Sequence, residues 1–147
     1  MSDFSNFAFA PLATLAPSST KLINMKIPAQ YLPVMPYLIL KNPKAFSDFA
    51  KTVFGAKEQL VVPAEDNSIM HGELKIHDAV IMFAQASDSW SEKSAGMYIY
   101  VEDIDSVYKA AMENGAKSLM EPQKKDYGYT AGFNDPFGNQ WWIVAAE

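Results

Sequence analysis

Hydrophobic positions along this chain change period twice, from about two to about three and a half residues, and each change comes at a capping residue. Residues 34–40 are β-branched, aromatic and apolar, which predicts a strand. Asn42-Pro43 then supplies a helix cap and a first-turn proline. Ala45, Phe46, Phe49, Ala50 and Val53 follow at helical spacing, and Gly55 ends the helix. Strands are predicted over 58–63, 69–76 and 79–85. Residues 86–94 form a polar, Ser-rich loop that reads as a module boundary. After it the order begins again. Residues 97–101 predict a strand, and Asp103 caps a helix striped by Ile104, Val107, Ala110 and Ala111 that ends at Gly115. A strand over 117–121 follows. The chain closes with a hairpin, 127–133 and 140–144, around the turn Asp135-Pro136-Phe137-Gly138-Asn139.

The two halves superpose as sequence. Tyr37-Leu38-Ile39-Leu40-Lys41-Asn42 matches Tyr98-Ile99-Tyr100-Val101-Glu102-Asp103, and both helices run into Gly-Ala-Lys, at Gly55-Ala56-Lys57 and Gly115-Ala116-Lys117. This is an internal repeat of β-α-β-β-β type. The predicted fold is α+β, one domain over 31–147, with module one at 31–88 and module two at 95–147. Pairing two one-sided modules buries the helix faces and is expected to leave a concave sheet surface between them. Residues 1–30 read as an N-terminal extension, with Phe4, Phe7 and Phe9 as apolar anchors.

Composition narrows the chemistry. The 147 residues are 49% hydrophobic, enough for a core. Without cysteine there can be no disulfide, zinc-thiolate site or Cys nucleophile. All 12 basic residues are lysine and the net charge is -5, which argues against nucleic-acid binding. No apolar run is long enough to span a bilayer, and the apolar start lacks a basic leader, so a cytoplasmic protein is expected.

Several stretches carry a family resemblance: Pro36-Tyr37-Leu38-Ile39-Leu40, Phe49-Ala50-Lys51-Thr52-Val53-Phe54-Gly55-Ala56, Met70-His71-Gly72-Glu73-Leu74, Tyr100-Val101-Glu102-Asp103, and Asp135-Pro136-Phe137-Gly138-Asn139 with Trp141-Trp142. In these the chain, from Ile27 onward, resembles the glyoxalase / bleomycin-resistance / extradiol-dioxygenase (vicinal oxygen chelate) superfamily, and its PhnB-like branch most closely. The resemblance implies paired βαβββ modules in a U-shaped, partly closed mixed sheet around a cleft. Catalytic members hold a divalent metal there. Their ligand positions align with Met35, Met82, Gly96 and Trp142, none of which is a hard oxygen or imidazole ligand. No metal or other cofactor is therefore expected.

Strand parity names what lines the cleft instead. If His77-Asp78 is a two-residue turn, Glu73 lies opposite Met82, and Leu74, Ile81 and Phe83 share the helix-side face. His71, Glu73, Lys75 and Met82 fall on the other face. By the same parity Met35, Tyr37, Tyr98, Tyr100 and Trp142 point into the cleft, while Ile99, Trp141 and Ile143 point to the helix layer. Trp90, in the Ser-rich loop, is placed to fold over the cleft or meet a partner. His71 and Glu73 point the same way from one strand. They suit a base and its orienter, half of a relocated metal site, or a buried pair involving Lys75. The expected function is binding of a small apolar or aromatic molecule by a homodimer. The rivals are a lyase, isomerase or dioxygenase using His71 and Glu73, and a structural or regulatory subunit with a closed cleft.

Overall fold

Capping side chains decide where both helices begin. Asn42 Oδ1 accepts the amide of Ala45 at 3.1 Å, and Asp103 Oδ1 accepts that of Ser106 at 3.0 Å. Each takes up one of the amides that a helix leaves without an internal partner. Gly55 closes the first helix in the left-handed region, at φ 65°, where a β-carbon would be strained. The computed structural model describes residues 26–146. Its elements, in chain order, are β1 (Tyr37–Leu40), α1 (Pro43–Phe54), β2 (Lys57–Pro63), β3 (Ile69–Ile76), β4 (Ala79–Gln85), β5 (Gly96–Val101), α2 (Ile104–Glu113), β6 (Lys117–Lys125), β7 (Gly128–Asn134) and β8 (Gln140–Ala145).

The repeat is real. Each half is β-α-β-β-β, and the four-stranded sheets have matching orders, β1-β4-β3-β2 and β5-β8-β7-β6. In each, the first strand runs parallel to the last, and the other pairs are antiparallel. His77-Asp78 is the turn between β3 and β4, and the expected partners Glu73–Met82, Leu74–Ile81 and Gly72–Phe83 all form. His77 takes φ 50°, the conformation that glycine ordinarily supplies. Two expected bounds move by three residues or more. β1 starts at Tyr37 rather than at residue 34, because Pro36 interrupts the run and lacks an amide for pairing. β6 continues to Lys125 rather than 121, because irregular pairing with β7 lets it accommodate Pro122. The anchors Phe4, Phe7 and Phe9, with most of the N-terminal extension, lie outside the described residues.

One apolar cluster joins the two modules. Leu38, Leu40, Leu74, Ile81 and Phe83 from the first sheet share it with Trp141, Ile143, Ala131 and Phe133 from the second, around Phe46, Phe49 and Ala50 of α1 and Ala111 of α2. Phe54 of α1 crosses over: its ring centroid lies 4.4 Å from that of Trp141, and it stacks on Phe133. Phe46 and Phe49 meet Phe137 edge-on at 5.9 Å. This packing pairs the two βαβββ modules as expected, with their helix faces buried together. Within one chain the helix side of each sheet is turned to the shared core, and each sheet's other face lies away from it. The helix-side residues are the more apolar, so burying them together removes the larger apolar area from water.

The closing turn is fastened from inside. Asp135, buried, accepts the amides of Phe137 and Asn139, the side-chain amide of Asn139 and the indole N–H of Trp141, all at 2.8–2.9 Å. Asn139 Oδ1 in turn accepts the amide of Ala95, just ahead of β5.

Candidate functional site

On the open face of the first sheet, β3 alternates strictly. Gly72, Leu74 and Ile76 go to the core, and His71, Glu73 and Lys75 go to the other side. Glu73 is only 2% exposed there. A carboxylate so deep needs hydrogen-bond donors, and four contacts from three residues supply them. Gln59 Nε2 of β2 donates to Oε2 at 2.8 Å, Tyr31 Oη reaches both oxygens at 3.1 and 3.2 Å, and His71 Nε2 lies 2.9 Å from Oε1. Burial alone would raise the carboxyl's pKa. The donors from Gln59, His71 and Tyr31 outweigh that, helped by His71 whenever its imidazole is protonated, and hold it below the ordinary value. The same contact with Glu73 pushes the Tyr31 hydroxyl up. On the far side of the imidazole, His71 Nδ1 meets the Tyr37 hydroxyl at 3.1 Å, and the two rings lie 5.6 Å apart.

Tyr37 also lines a cavity of about 760 Å³ on the same face. The floor includes Ile39 of β1, Ile69 of β3 and Ala84 of β4. One wall is the loop with Trp90, Ser89, Ser91 and Lys93, and another is the β2–β3 tip with Asp66 and Ser68. Trp90 is 70% exposed and forms part of that wall. The loop is held near β1 by reciprocal backbone bonds between Ile39 and Lys93, at 3.0 and 2.9 Å.

The open face of the second sheet is different. Tyr98 and Tyr100 project from β5, edge-to-face at 5.5 Å and more than half exposed. Trp142 is half-buried beside Tyr98 and lies across Gly132, where a β-carbon would meet the indole at 2.4 Å. Its N–H donates to Gln140 at 3.0 Å. Trp141 points the other way and is 1% exposed, so the predicted division between the two tryptophans is the one observed. A second groove, about 410 Å³, runs between Tyr98, Met97 and Ile99 on β5 and Ile76, Ala79 and Ile81 on the first sheet.

The structure brings together His71, Glu73 and Tyr37, and separately Tyr98, Tyr100 and Trp142. It does not bring Trp142 beside Met82: Met82 pairs with Tyr37 and Glu73 in the first sheet, and Trp142 with Tyr98 and Gly132 in the second. Lys75 makes no hydrogen bond to the Glu73 cluster among the described residues. Tyr31 and Gln59 were not singled out from sequence. They lie 42 and 14 residues from Glu73, and no local spacing marks them. A divalent cation does not fit the aligned ligand positions. Met35 and Met82 offer thioethers, Gly96 no side chain and Trp142 an indole, and no group of three His, Asp or Glu side chains suited to a metal occurs among the described residues. No helix among them is long and apolar enough to cross a membrane.

Residues 33–143 match the model of the Glyoxalase/Bleomycin resistance protein/Dioxygenase superfamily. An uncharacterized protein of Mycobacterium bovis is 25% identical over 118 residues, covering 72% of this chain and 78% of its own. Among solved structures, a PhnB protein from Bacillus cereus is similar at TM-score 0.64 and 15% identity, over 78% of this chain and 100% of that one. TnmS3, an antibiotic binding protein from Streptomyces sp. CB03234, is similar at TM-score 0.61 and 14% identity, over 80% and 100%. A protein of Pseudomonas aeruginosa is similar at 0.66 and 19%, over 78% and 97%. At these identities the structural likeness is one of fold.

Proposed function

The chain belongs to the glyoxalase/bleomycin resistance protein/dioxygenase superfamily, and from that premise we propose that it binds a small apolar or aromatic organic molecule without using the superfamily's metal. The observation that carries this reading is the cavity of about 760 Å³ walled by Tyr37 and Trp90, in which Ile39, Ile69 and Met70 stand beside polar groups such as Gln85 and Lys93. A concave, largely apolar site with a few placed polar groups is the usual form of a small-molecule site. Tyr37 and Trp90 are 49% and 70% exposed, an arrangement that leaves apolar area in water until something covers it. A structural neighbour with 14% identity is an antibiotic binding protein, which favours the same class of ligand.

The binding form is a homodimer in this reading. β1 and β5 are edge strands, each paired within its sheet on one side only, and the described residues leave the aromatic face of the second sheet uncovered. A partner placed with its first-sheet face over Tyr98, Tyr100 and Trp142 would rebuild a two-walled cleft from two chains. Quenching of tryptophan emission by a panel of flat aromatic compounds tests the binding, with elemental analysis of the same sample. Saturable quenching without stoichiometric metal is the expected result. About one Zn, Ni, Fe or Mn per chain, or no quenching by any compound, would overturn it. Light scattering tests the dimer, and a monomer at micromolar concentration would count against it.

A second reading has one observation in its favour. The 2.9 Å contact of His71 Nε2 with Glu73 leaves Nδ1 to act as a base through the Tyr37 hydroxyl it meets on the open face, which suits a lyase or isomerase. Turnover lost in His71→Gln, with ligand binding retained, would favour it.

A further inference from the structure

We propose that Glu73 and His71 fix the Tyr37 hydroxyl as a hydrogen-bond acceptor toward the cavity, so that the site prefers apolar molecules carrying one hydroxyl or N–H donor. This rests on the binding reading above and names the polar feature its ligand must have. The argument is one of proton counting. An ionised carboxylate only accepts. Glu73 is buried and takes donors from Gln59, Tyr31 and His71, so the nitrogen facing it at 2.9 Å, Nε2, carries the proton. A neutral imidazole has one N–H, so Nδ1 is then a bare acceptor. The group that meets Nδ1 at 3.1 Å is the Tyr37 hydroxyl, which must spend its one proton there. Its oxygen is left with lone pairs only. Tyr37 is half exposed and is the one member of this chain of bonds that also lines the cavity.

The direction is set from the buried end. Glu73 sits in the sheet with its donors on two other segments, so it cannot turn away without leaving them unpaired. His71 is held between Glu73 and Tyr37 and faces Val62 of β2 across the strand pair. The relay therefore transmits the polarity of a buried charge to an exposed hydroxyl two side chains away. A ligand acceptor brought to Tyr37 would meet lone pair against lone pair. A ligand donor would complete the hydroxyl's bonding.

Two measurements at pH 8 test this. The first is the nitrogen-15 NMR spectrum of His77→Gln, in which His71 is the one histidine left, since the chain has two. The expected spectrum is that of the Nε2–H tautomer; the Nδ1–H tautomer would overturn the proposal. The second is equilibrium dialysis with 2-naphthol and 2-methoxynaphthalene, in which a methyl group replaces the donor hydrogen. Wild type should bind the naphthol about five-fold more tightly, the factor one net hydrogen bond gives, and Tyr37→Phe should lose that preference. Equal binding by wild type, or a preference that survives in Tyr37→Phe, would overturn the donor rule and leave the binding reading standing. Binding of neither probe by wild type would sink the binding reading, and this inference with it.

Discussion

Gly72 opposite Phe83 and Gly132 opposite Trp142 are the same device in the two modules, used on opposite faces. In each pair a glycine leaves room for a large ring on the neighbouring strand, and an added β-carbon would come within 2.4 Å of that ring. In module one the ring is on the helix side and fully buried. In module two it is on the open face and half-buried. The first sheet thus spends its aromatic on the core and keeps polar side chains, Glu73 and His71, for the open face. The second fills its core with Trp141 and Phe133 and keeps Tyr98, Tyr100 and Trp142 outside. A repeat with one topology therefore offers two unlike walls, one with a buried carboxylate and its imidazole and one of exposed aromatic rings.

The sharpest test of that division is the tryptophan pair. Trp141→Ala removes a ring that is 1% exposed, packs on Phe54 and donates to Asp135. It should cost about 3–5 kcal/mol, the range for truncating a buried large aromatic. Trp142→Ala should cost clearly less and should lose ligand-dependent quenching instead. Urea denaturation of both variants decides this, and equal losses would dissolve the distinction between core and wall.

The glycines come next. Gly72→Ala pushes a methyl group into Phe83, which is enclosed and cannot yield, and about 1–3 kcal/mol should be lost to overpacking. Gly132→Ala meets Trp142, which has solvent on one side. It should cost less while shifting the indole's emission, and thermal melts with fluorescence spectra report both effects.

Glu73→Gln probes the polar wall. At neutral pH it should cost about 1 kcal/mol, because one buried acceptor set is replaced by a poorer one. The pH profile is more telling. The folded-state pKa of Glu73 is held below its ordinary value, so the stability it confers is fully present above about pH 4.5 and is lost as pH falls through the lower folded value. Wild type should lose stability over that acidic window, and the variant should lose less. Parallel curves in acid would show that the cluster contributes nothing through its charge.

The smallest effect is expected at His77, which occupies φ 50° in an exposed turn. His77→Gly should gain about 0.5 kcal/mol or less, the relief of the strained conformation being offset by glycine's freedom in the unfolded chain.

Much of this architecture was legible in the sequence because it is set locally. The His77-Asp78 turn fixes the register of β3 with β4, and that register alone assigns Glu73, Met82, Leu74 and Phe83 to their faces. Asn42 and Asp103 announce their helices for the same reason. The placement of one module against the other was not legible. It depends on Phe54 reaching Trp141 and on Phe137 reaching Phe46, contacts with no signal in spacing. Hence Trp142 and Met82, each assigned to the open face of its own strand, belong to two walls within one chain. The donors to Glu73 were hidden similarly: Tyr31 lies ahead of the first strand, where sequence offers only a boundary.

The Asp135 turn has a consequence for how the molecule comes apart. Its carboxylate ties β8 to the turn, Asn139 ties the turn to the entry of β5, and Phe137 between them lies against two phenylalanines of α1. Module two therefore cannot loosen its last hairpin without uncovering part of module one's helix, and module one cannot shed α1 without baring Phe137. Despite its two-fold internal repetition the protein has no seam along which half could melt alone, so its unfolding should be a single cooperative event.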